Sequence, residues 1–249
     1  MQKYPFECMG TDASTVANAL LEYGIALMPE YLNNINEVTA VEEEALRLLN
    51  DRPHYAQALS SYPNGNGIRV ERERASSDCA QLSGVFDQPW MREVAKTFFD
   101  PQPYVFNHDL MIVLDVVGTK HLAHQVHYDR MPQLKFFLYL TDTSVANGAF
   151  HCLPGSHHQV KKIQQENRCR LQLPSSPETR LRSPEFTSGL IPVEGRAGSL
   201  MVIDSDIAHR GTQIRRGNRL SVRCRSYHPA YLIRWTQTYR NATTSGGTT

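Results

Sequence analysis

The second half of the chain is a series of short apolar segments with the composition of β-strands. From Tyr104 onward, β-branched, aromatic and leucine residues recur in short runs, and glycines and prolines separate one run from the next. No regular helix alternates with these runs, as a parallel α/β sheet would require. This series predicts a β-sandwich or barrel. The predicted strands are Tyr104–His108, Leu110–Val116, Ala123–His127, Leu134–Leu140, Phe150–Leu153, Ser199–Ile203 and Arg219–Arg225.

The first hundred residues show helical patterns instead. Asp12 or Ser14 can cap a helix that ends at Gly24, and the apolar stretch Ile25–Met28 predicts a short strand after it. Apolar residues at helical spacing predict further helices, and a polar, glycine-rich stretch predicts a turn or mobile loop. These segments are the helices Ile35–Asn50 and Trp90–Phe99 and the loop at residues 60–80.

The composition is that of a globular protein without a strong charge bias. Hydrophobic residues make up 41% of the 249 residues, which is enough for a sizeable core, and the formal net charge is +1. This charge predicts neither nucleic acid nor an anionic membrane as a partner. The length fits one domain over residues 1–240, with a helical part at about 11–100 and a β core at about 104–228. The polar residues 241–249 predict a disordered tail.

The sequence shows no pattern for a membrane span or for secretion. Its longest apolar runs, such as Phe136–Leu140, have five residues, whereas a membrane-spanning helix needs about 20. The first residues lack the apolar segment of a signal peptide. Five scattered cysteines form no Cys-x-x-Cys pair, so a zinc–thiolate site is not indicated. Reduced thiols in a cytoplasmic protein are the simplest interpretation.

Two histidines and an aspartate form a candidate metal site. His127 and Asp129 are two residues apart, and a strand places such residues on one face, where they can bind one ion together. His209 would complete a set of two histidines and one carboxylate. Such a set leaves coordination positions open and is typical of non-haem Fe(II) oxygenases. A zinc hydrolase could use the same three ligands, and ordinary hydrogen bonds are the non-catalytic alternative.

An arginine and a serine further along the chain suit a dicarboxylic cosubstrate. Arg219 and Ser221 share a strand face, and a guanidinium beside a hydroxyl can bind the far carboxylate of such an acid. Iron, O2 and 2-oxoglutarate would account for both groups of residues. Arg223, on the same face, is a rival for this role. Gln125 could contact the same cosubstrate, as could Tyr139 or Lys135 from the next strand, although each could instead be an ordinary wall or core residue.

Eight segments, spread in order over most of the chain, carry a resemblance to a known family. They are Leu20–Leu32, Gln125-Val-His-Tyr-Asp129, Phe137–Asp142, Asn147-Gly-Ala-Phe150, Pro154-Gly-Ser-His157, Ala197–Asp204, His209-Arg-Gly211 and Arg219-Leu-Ser221. On these segments the chain resembles the phytanoyl-CoA dioxygenase family of Fe(II)/2-oxoglutarate oxygenases. The resemblance is weakest over residues 50–105 and 160–190.

The resemblance implies both a fold and an activity. The fold is a double-stranded β-helix, or jelly roll, with N-terminal helices. His127, Asp129 and His209 are the implied iron ligands, and Arg219 is the implied partner of the distal 2-oxoglutarate carboxylate. The implied dioxygenase uses O2 and releases succinate and CO2. Family members with a small residue at the second ligand position can halogenate, so Asp129 favours hydroxylation or a related oxidation. A jelly-roll binding protein without catalysis is the remaining alternative.

Two polar, basic stretches raise the question of substrate charge. They are Arg69–Arg74 and Lys161–Arg182, the second of which predicts a helix plus a loop. Because binding specificity usually lies in loops on a rigid scaffold, they predict a small-molecule substrate with a carboxylate or phosphate. Two solvated surface loops are the alternative. Nothing in the sequence indicates the oligomeric state.

Overall fold

The protein combines α-helices, most of them N-terminal, with two antiparallel β-sheets. The computed structural model describes residues 3–59, 66–71, 78–120, 122–129, 131–166 and 179–230. The α-helices in these residues are α1 (Ala13–Tyr23), α2 (Ile35–Asp51), α3 (Ala80–Phe86), α4 (Pro89–Phe99), α5 (His157–Glu166) and α6 (Pro184–Thr187). Among the described helices, none combines the length and the hydrophobicity that crossing a membrane requires.

The first helix begins and ends where the sequence predicts. The Asp12 side chain accepts a hydrogen bond from the backbone N–H of Thr15 at 2.8 Å, which satisfies a free donor of the first turn of α1. Gly24 ends the helix with a φ of 74°, a left-handed conformation that glycine adopts without steric cost. The predicted strand Ile25–Met28 follows directly.

The strands form one large and one small sheet. The large sheet has seven strands in the order β1-β8-β5-β10-β4-β3-β2, and the small sheet has three in the order β7-β6-β9. Their bounds are β1 (Ile25–Met28), β2 (Ala56–Ala58), β3 (Asn66–Glu71), β4 (Val105–Val116), β5 (Gln133–Tyr139), β6 (Phe150–Leu153), β7 (Ile191–Val193), β8 (Leu200–Asp204), β9 (Ala208–Arg210) and β10 (Asn218–Tyr227).

The two faces of the large sheet bury different side chains. Even-numbered residues of its strands, such as Leu134, Phe136 and Val222, pack under the helices in the largest hydrophobic cluster. Odd-numbered residues point toward the small sheet, where Phe137 packs with Phe150 of β6. Because strand side chains alternate between faces, even-numbered residues form an outer core under the helices and odd-numbered residues form an inner core between the two sheets. Two facing antiparallel sheets with helices on one side confirm the predicted jelly roll.

Three local predictions are wrong or incomplete. The stretch at residues 60–80, predicted as a loop, contains strand β3, which pairs with β4 through Ile68 and its neighbours. The predicted strand Ala123–His127 is a 3-10 turn at Leu122–His124 followed by isolated bridges from His127 to Arg180 and to His209. The predicted helix near Lys161 begins earlier, at His157. The polar tail at 241–249 lies outside the described residues.

Candidate metal centre and cosubstrate pocket

His127, Asp129 and His209 come together as the sequence predicts. One ligand atom from each lies within 4.8 Å of the others, and Nε2 of His209 is 3.9 Å from Oδ1 of Asp129. The imidazole centroids of His127 and His209 are 4.4 Å apart. Residues from distant parts of the chain therefore converge on a space of the size that one ion needs.

Backbone hydrogen bonds hold the three residues in place. The N–H of His127 donates to the carbonyl of His209 at 2.9 Å, and the N–H of His209 donates back at 2.8 Å. The N–H of Asp129 donates to the carbonyl of Ser205 at 3.0 Å. Although Asp129 is not in a regular strand, these contacts fix the segment against β9 and the turn before it.

Both imidazoles turn the same nitrogen toward the shared space. Nδ1 of His127 lies 2.7 Å from the carbonyl of Gln125, and Nδ1 of His209 lies 2.7 Å from the carbonyl of Ile207. Because a carbonyl can only accept, each Nδ1 carries the proton and each Nε2 keeps a free lone pair. Burial, with help from the His127 and Lys135 charges, lowers the pKa of His209 to about 3. His209 therefore stays neutral and able to ligate near neutral pH.

Asp129 supplies the negative charge of the site. Burial alone would raise its pKa, but the nearby Lys135, His209 and His127 outweigh burial and hold the pKa well below its usual range. The Lys135 ammonium forms an ion pair with this carboxylate, and Nε2 of Gln133 lies 3.4 Å from it. Two neutral imidazoles and one carboxylate fit a divalent transition metal with open coordination positions.

The three residues open into a cavity of about 260 Å³. Its wall combines the apolar side chains of Phe137, Phe150 and Ile203 with the guanidinium groups of β10. The charged and ligating side chains of the wall are Asp115, His127, Asp129, Lys135, His209, Arg219, Arg223 and Arg225, and Met111 also lines it.

Arg219 lies in this cavity, buried and already partly bonded. It forms an ion pair with Asp115, with an N–O distance of 2.6 Å, and donates to the carbonyl of Gly148. Its Nε is buried and makes no hydrogen bond within the described residues, and the same holds for Oγ of Ser221 on the same strand face. The unused N–H of Arg219, a residue of the cavity wall, fits the distal carboxylate of a cosubstrate.

The structure does not bring Gln125 or Tyr139 to the cavity wall. The Gln125 side chain is exposed and lines a separate groove, so only its backbone carbonyl serves the site. The Tyr139 hydroxyl donates to the carbonyl of Val193 at 3.0 Å and accepts from the N–H of Phe150 at 3.0 Å. Burial raises its pKa to about 12. Tyr139 thus joins the two sheets, and Ser221 lies behind the cavity wall rather than in it.

The two basic stretches are largely engaged elsewhere or lie outside the described residues. Arg69 is buried in an ion pair with Asp109, and Lys161 pairs with the buried Asp204. The structure therefore contradicts a free cation at Lys161, because its charge is neutralised within the fold. Arg72, Arg74 and residues 167–178 are outside the described residues.

Sequence reasoning missed the buried acids that accompany the arginines. Asp109 and Asp115 occupy positions of the same parity in the apolar strand β4, which places both on its inner face. Two carboxylates inside an apolar strand were a usable signal, since aspartate is rarely buried without a partner.

Solved structures with the same fold include several that hold a metal and 2-oxoglutarate. The epimerase SnoN from nogalamycin biosynthesis, in complex with Fe3+, alpha ketoglutarate and nogalamycin RO, is 20% identical with a TM-score of 0.60; the match covers 87% of this chain and 83% of SnoN. The carbocyclase SnoK from the same biosynthesis is 17% identical with a TM-score of 0.62, covering 86% and 83%. HygX from Streptomyces hygroscopicus, with nickel, 2-oxoglutarate and hygromycin B bound, is 15% identical with a TM-score of 0.57, covering 86% of each chain.

Sequence comparison identifies the family directly. None of the curated proteins matches this sequence. The profile of the phytanoyl-CoA dioxygenase (PhyH) family, however, matches residues 20–218, which include the candidate metal ligands and all of the cavity residues on β4 and β5. With the jelly roll and the metal-binding geometry in place, the chain belongs to the phytanoyl-CoA dioxygenase family and is a non-haem oxygenase that uses Fe(II), 2-oxoglutarate and O2.

Proposed function

We propose that this enzyme oxidises a small molecule with an anionic group, in a biosynthetic or catabolic reaction that converts 2-oxoglutarate to succinate and CO2. The observation that carries the proposal is one cavity that holds His127, Asp129 and His209 together with Arg219. A zinc hydrolase has no use for a dicarboxylate anchor beside its metal, so this combination favours the oxygenase.

Each residue has a defined part in the proposed reaction. His127, Asp129 and His209 would hold the metal, and Arg219 would orient the distal carboxylate of 2-oxoglutarate. Iron and 2-oxoglutarate together supply the oxidation of a C–H bond by O2. The apolar residues Phe137, Phe150 and Ile203 would keep water from the reacting carbon.

The class of substrate is supported by the proteins of similar fold. The structures of SnoN and HygX contain nogalamycin RO and hygromycin B, which are small molecules. SnoN is an epimerase and SnoK a carbocyclase. The proposal therefore includes hydroxylation and other oxidations of a carbon centre that consume the same cosubstrates.

Succinate formation tests the proposal. The purified protein is loaded with Fe(II) without oxygen, mixed with 2-oxoglutarate and then exposed to O2, and succinate is measured over time. We expect formation of succinate that requires Fe(II) and 2-oxoglutarate and is lost when Zn(II) replaces iron. Metal binding without any succinate, under conditions in which the protein remains folded, would show that the oxygenase assignment is wrong.

A further inference from the structure

Three arginines of one strand line the metal cavity. Arg219, Arg223 and Arg225 lie on the same face of β10 because their positions differ by even numbers. Each lies directly opposite a residue of β4, which is its cross-strand neighbour on that side of β10.

The register gives a carboxylate to two of the three arginines. Arg219 lies opposite Asp115 and pairs with it, and Arg225 lies opposite Asp109 and donates to it from Nε at 2.8 Å. Arg223 lies opposite Met111, which offers no charge. Within the described residues, no carboxylate lies within ion-pair distance of Arg223.

The surroundings of Arg223 hold its guanidinium near the metal site. Its Cζ lies 4.8 Å from the centroid of the Phe137 ring, and its Nε is buried without a hydrogen-bond partner within the described part of the chain. Arg223 lines the same cavity as the candidate ligands His127 and Asp129. The Phe137 face positions the guanidinium and leaves its planar N–H donors for another group.

We infer that Arg223 binds a carboxylate of the substrate and so places the adjacent carbon beside the metal. This inference rests on the proposed function. The metal ion and 2-oxoglutarate carry opposite double charges, and in the proposed function Arg219 binds the distal carboxylate of 2-oxoglutarate, so neither provides a counter-charge for Arg223. A single carboxylate matches the single charge and the fork of a guanidinium. It is also small enough for a cavity of about 260 Å³ that must hold the cosubstrate as well.

Acid and amide pairs test the inference without knowledge of the natural substrate. The wild-type protein is loaded with Ni(II) and 2-oxoglutarate, and binding of acetate, phenylacetate and 4-phenylbutyrate is compared calorimetrically with binding of the corresponding amides. We expect at least one acid to bind about tenfold more tightly than its amide, which corresponds to about 1.4 kcal/mol. Arg223→Met should abolish that difference, and the exposed Arg216→Met should preserve it.

The same variants separate the two possible sources of the carboxylate. The inference requires that Arg223→Met leave the Kd of 2-oxoglutarate unchanged. If Arg223→Met weakens 2-oxoglutarate about tenfold instead, Arg223 anchors the cosubstrate and the inference is wrong. It is equally wrong if no acid binds more tightly than its amide in the wild type. Failure of the proposed function would appear separately, as the absence of Fe(II)-dependent succinate formation in the wild type.

Discussion

The carboxylate of Asp109 accepts a hydrogen bond from Nε of Arg225 at 2.8 Å. The same carboxylate forms an ion pair with Arg69, and all three side chains are buried between β3, β4 and β10. Burial alone would raise the pKa of Asp109, but Arg225 and Arg69 outweigh it and hold the pKa below its usual value. One acid therefore compensates two buried cations in the inner face of the sheet.

Asp109→Asn should destabilise the protein strongly, because it removes the buried negative charge that both the Arg69 and the Arg225 guanidinium contact. We expect a loss of about 3–5 kcal/mol in the free energy of unfolding, measured by urea titration. Asp87→Asn is the matched control, since Asp87 pairs with Arg92 on the surface, where such a pair contributes about 0–1 kcal/mol. Equal effects of the two substitutions would contradict this interpretation of the buried cluster.

The same carboxylate makes stability depend on pH. Because the pKa of Asp109 is lower in the folded than in the unfolded protein, its contribution is complete above the unfolded value, near 3.8, and is lost as pH falls below it. The free energy of unfolding of the wild type should therefore decrease on acidification in this range. In Asp109→Asn that decrease should be smaller, and an identical pH profile for the two proteins would argue against a charged Asp109 in the native state.

Alanine at His127, Asp129 or His209 should abolish Fe(II)-dependent succinate formation while the protein remains folded. Each change removes a direct donor, so Fe(II) binding should weaken by more than the about 10–100-fold that follows loss of an outer hydrogen-bond partner. Calorimetry gives the metal affinity, and circular dichroism checks the fold. The exposed His158→Ala is the control and should bind Fe(II) as the wild type does. Wild-type turnover in His209→Ala would remove His209 from the ligand set.

Arg219→Lys should weaken 2-oxoglutarate binding by at least about tenfold, because the charge remains but the planar fork is lost. Lysine also keeps a cation beside the buried Asp115, so the variant is expected to fold. The measurement is the Kd of 2-oxoglutarate for the Ni(II) protein, with unfolding temperature as a check. If Arg219→Lys changes the Kd of 2-oxoglutarate little and Arg223→Met raises it strongly, Arg223 and not Arg219 binds the cosubstrate.

Tyr139→Phe should affect stability and leave 2-oxoglutarate binding unchanged. The substitution removes the hydroxyl between Val193 and Phe150 and leaves a buried N–H and a buried carbonyl unpaired, at a cost of about 1–3 kcal/mol. Tyr104→Phe is the control, since the Tyr104 ring stacks on Phe99 and its hydroxyl makes no hydrogen bond within the described residues. Weaker cosubstrate binding in Tyr139→Phe would restore the role predicted from the sequence.

Local patterns predicted much of the fold. Helix α1 and strand β1 follow from a cap, a glycine and an apolar run, all of which act within a few residues. Strand β3 was missed because it carries Arg69, which is unfavourable in a buried strand until Asp109 of a distant strand accompanies it. The residue that stabilises Arg69 in β3, Asp109, is 40 positions further along the chain, so local propensity cannot include it.

The metal ligands of the candidate site could be predicted from the sequence, because metal binding depends on residue type. His127, Asp129 and His209 are recognisable because few other side chains bind iron with open positions. Which arginine carries a carboxylate partner depends on the register of β4 against β10, and one residue of slip would exchange the faces. No local sequence pattern specifies that register. The sequence therefore could not show that Asp115 lies opposite Arg219 and that Met111 lies opposite Arg223.

The reciprocal hydrogen bonds between His127 and His209 join backbone atoms and do not use the imidazole nitrogens that would bind the metal. Folding therefore includes the entropy cost of bringing the two imidazoles together, and metal binding does not add that cost. The ligand set is preorganised for the ion. Such a chelate can release and regain its ion without refolding. It also offers the same low reorganisation cost to every divalent ion of suitable size, so selection among these ions follows from ligand chemistry and supply in the cell rather than from the shape of the site.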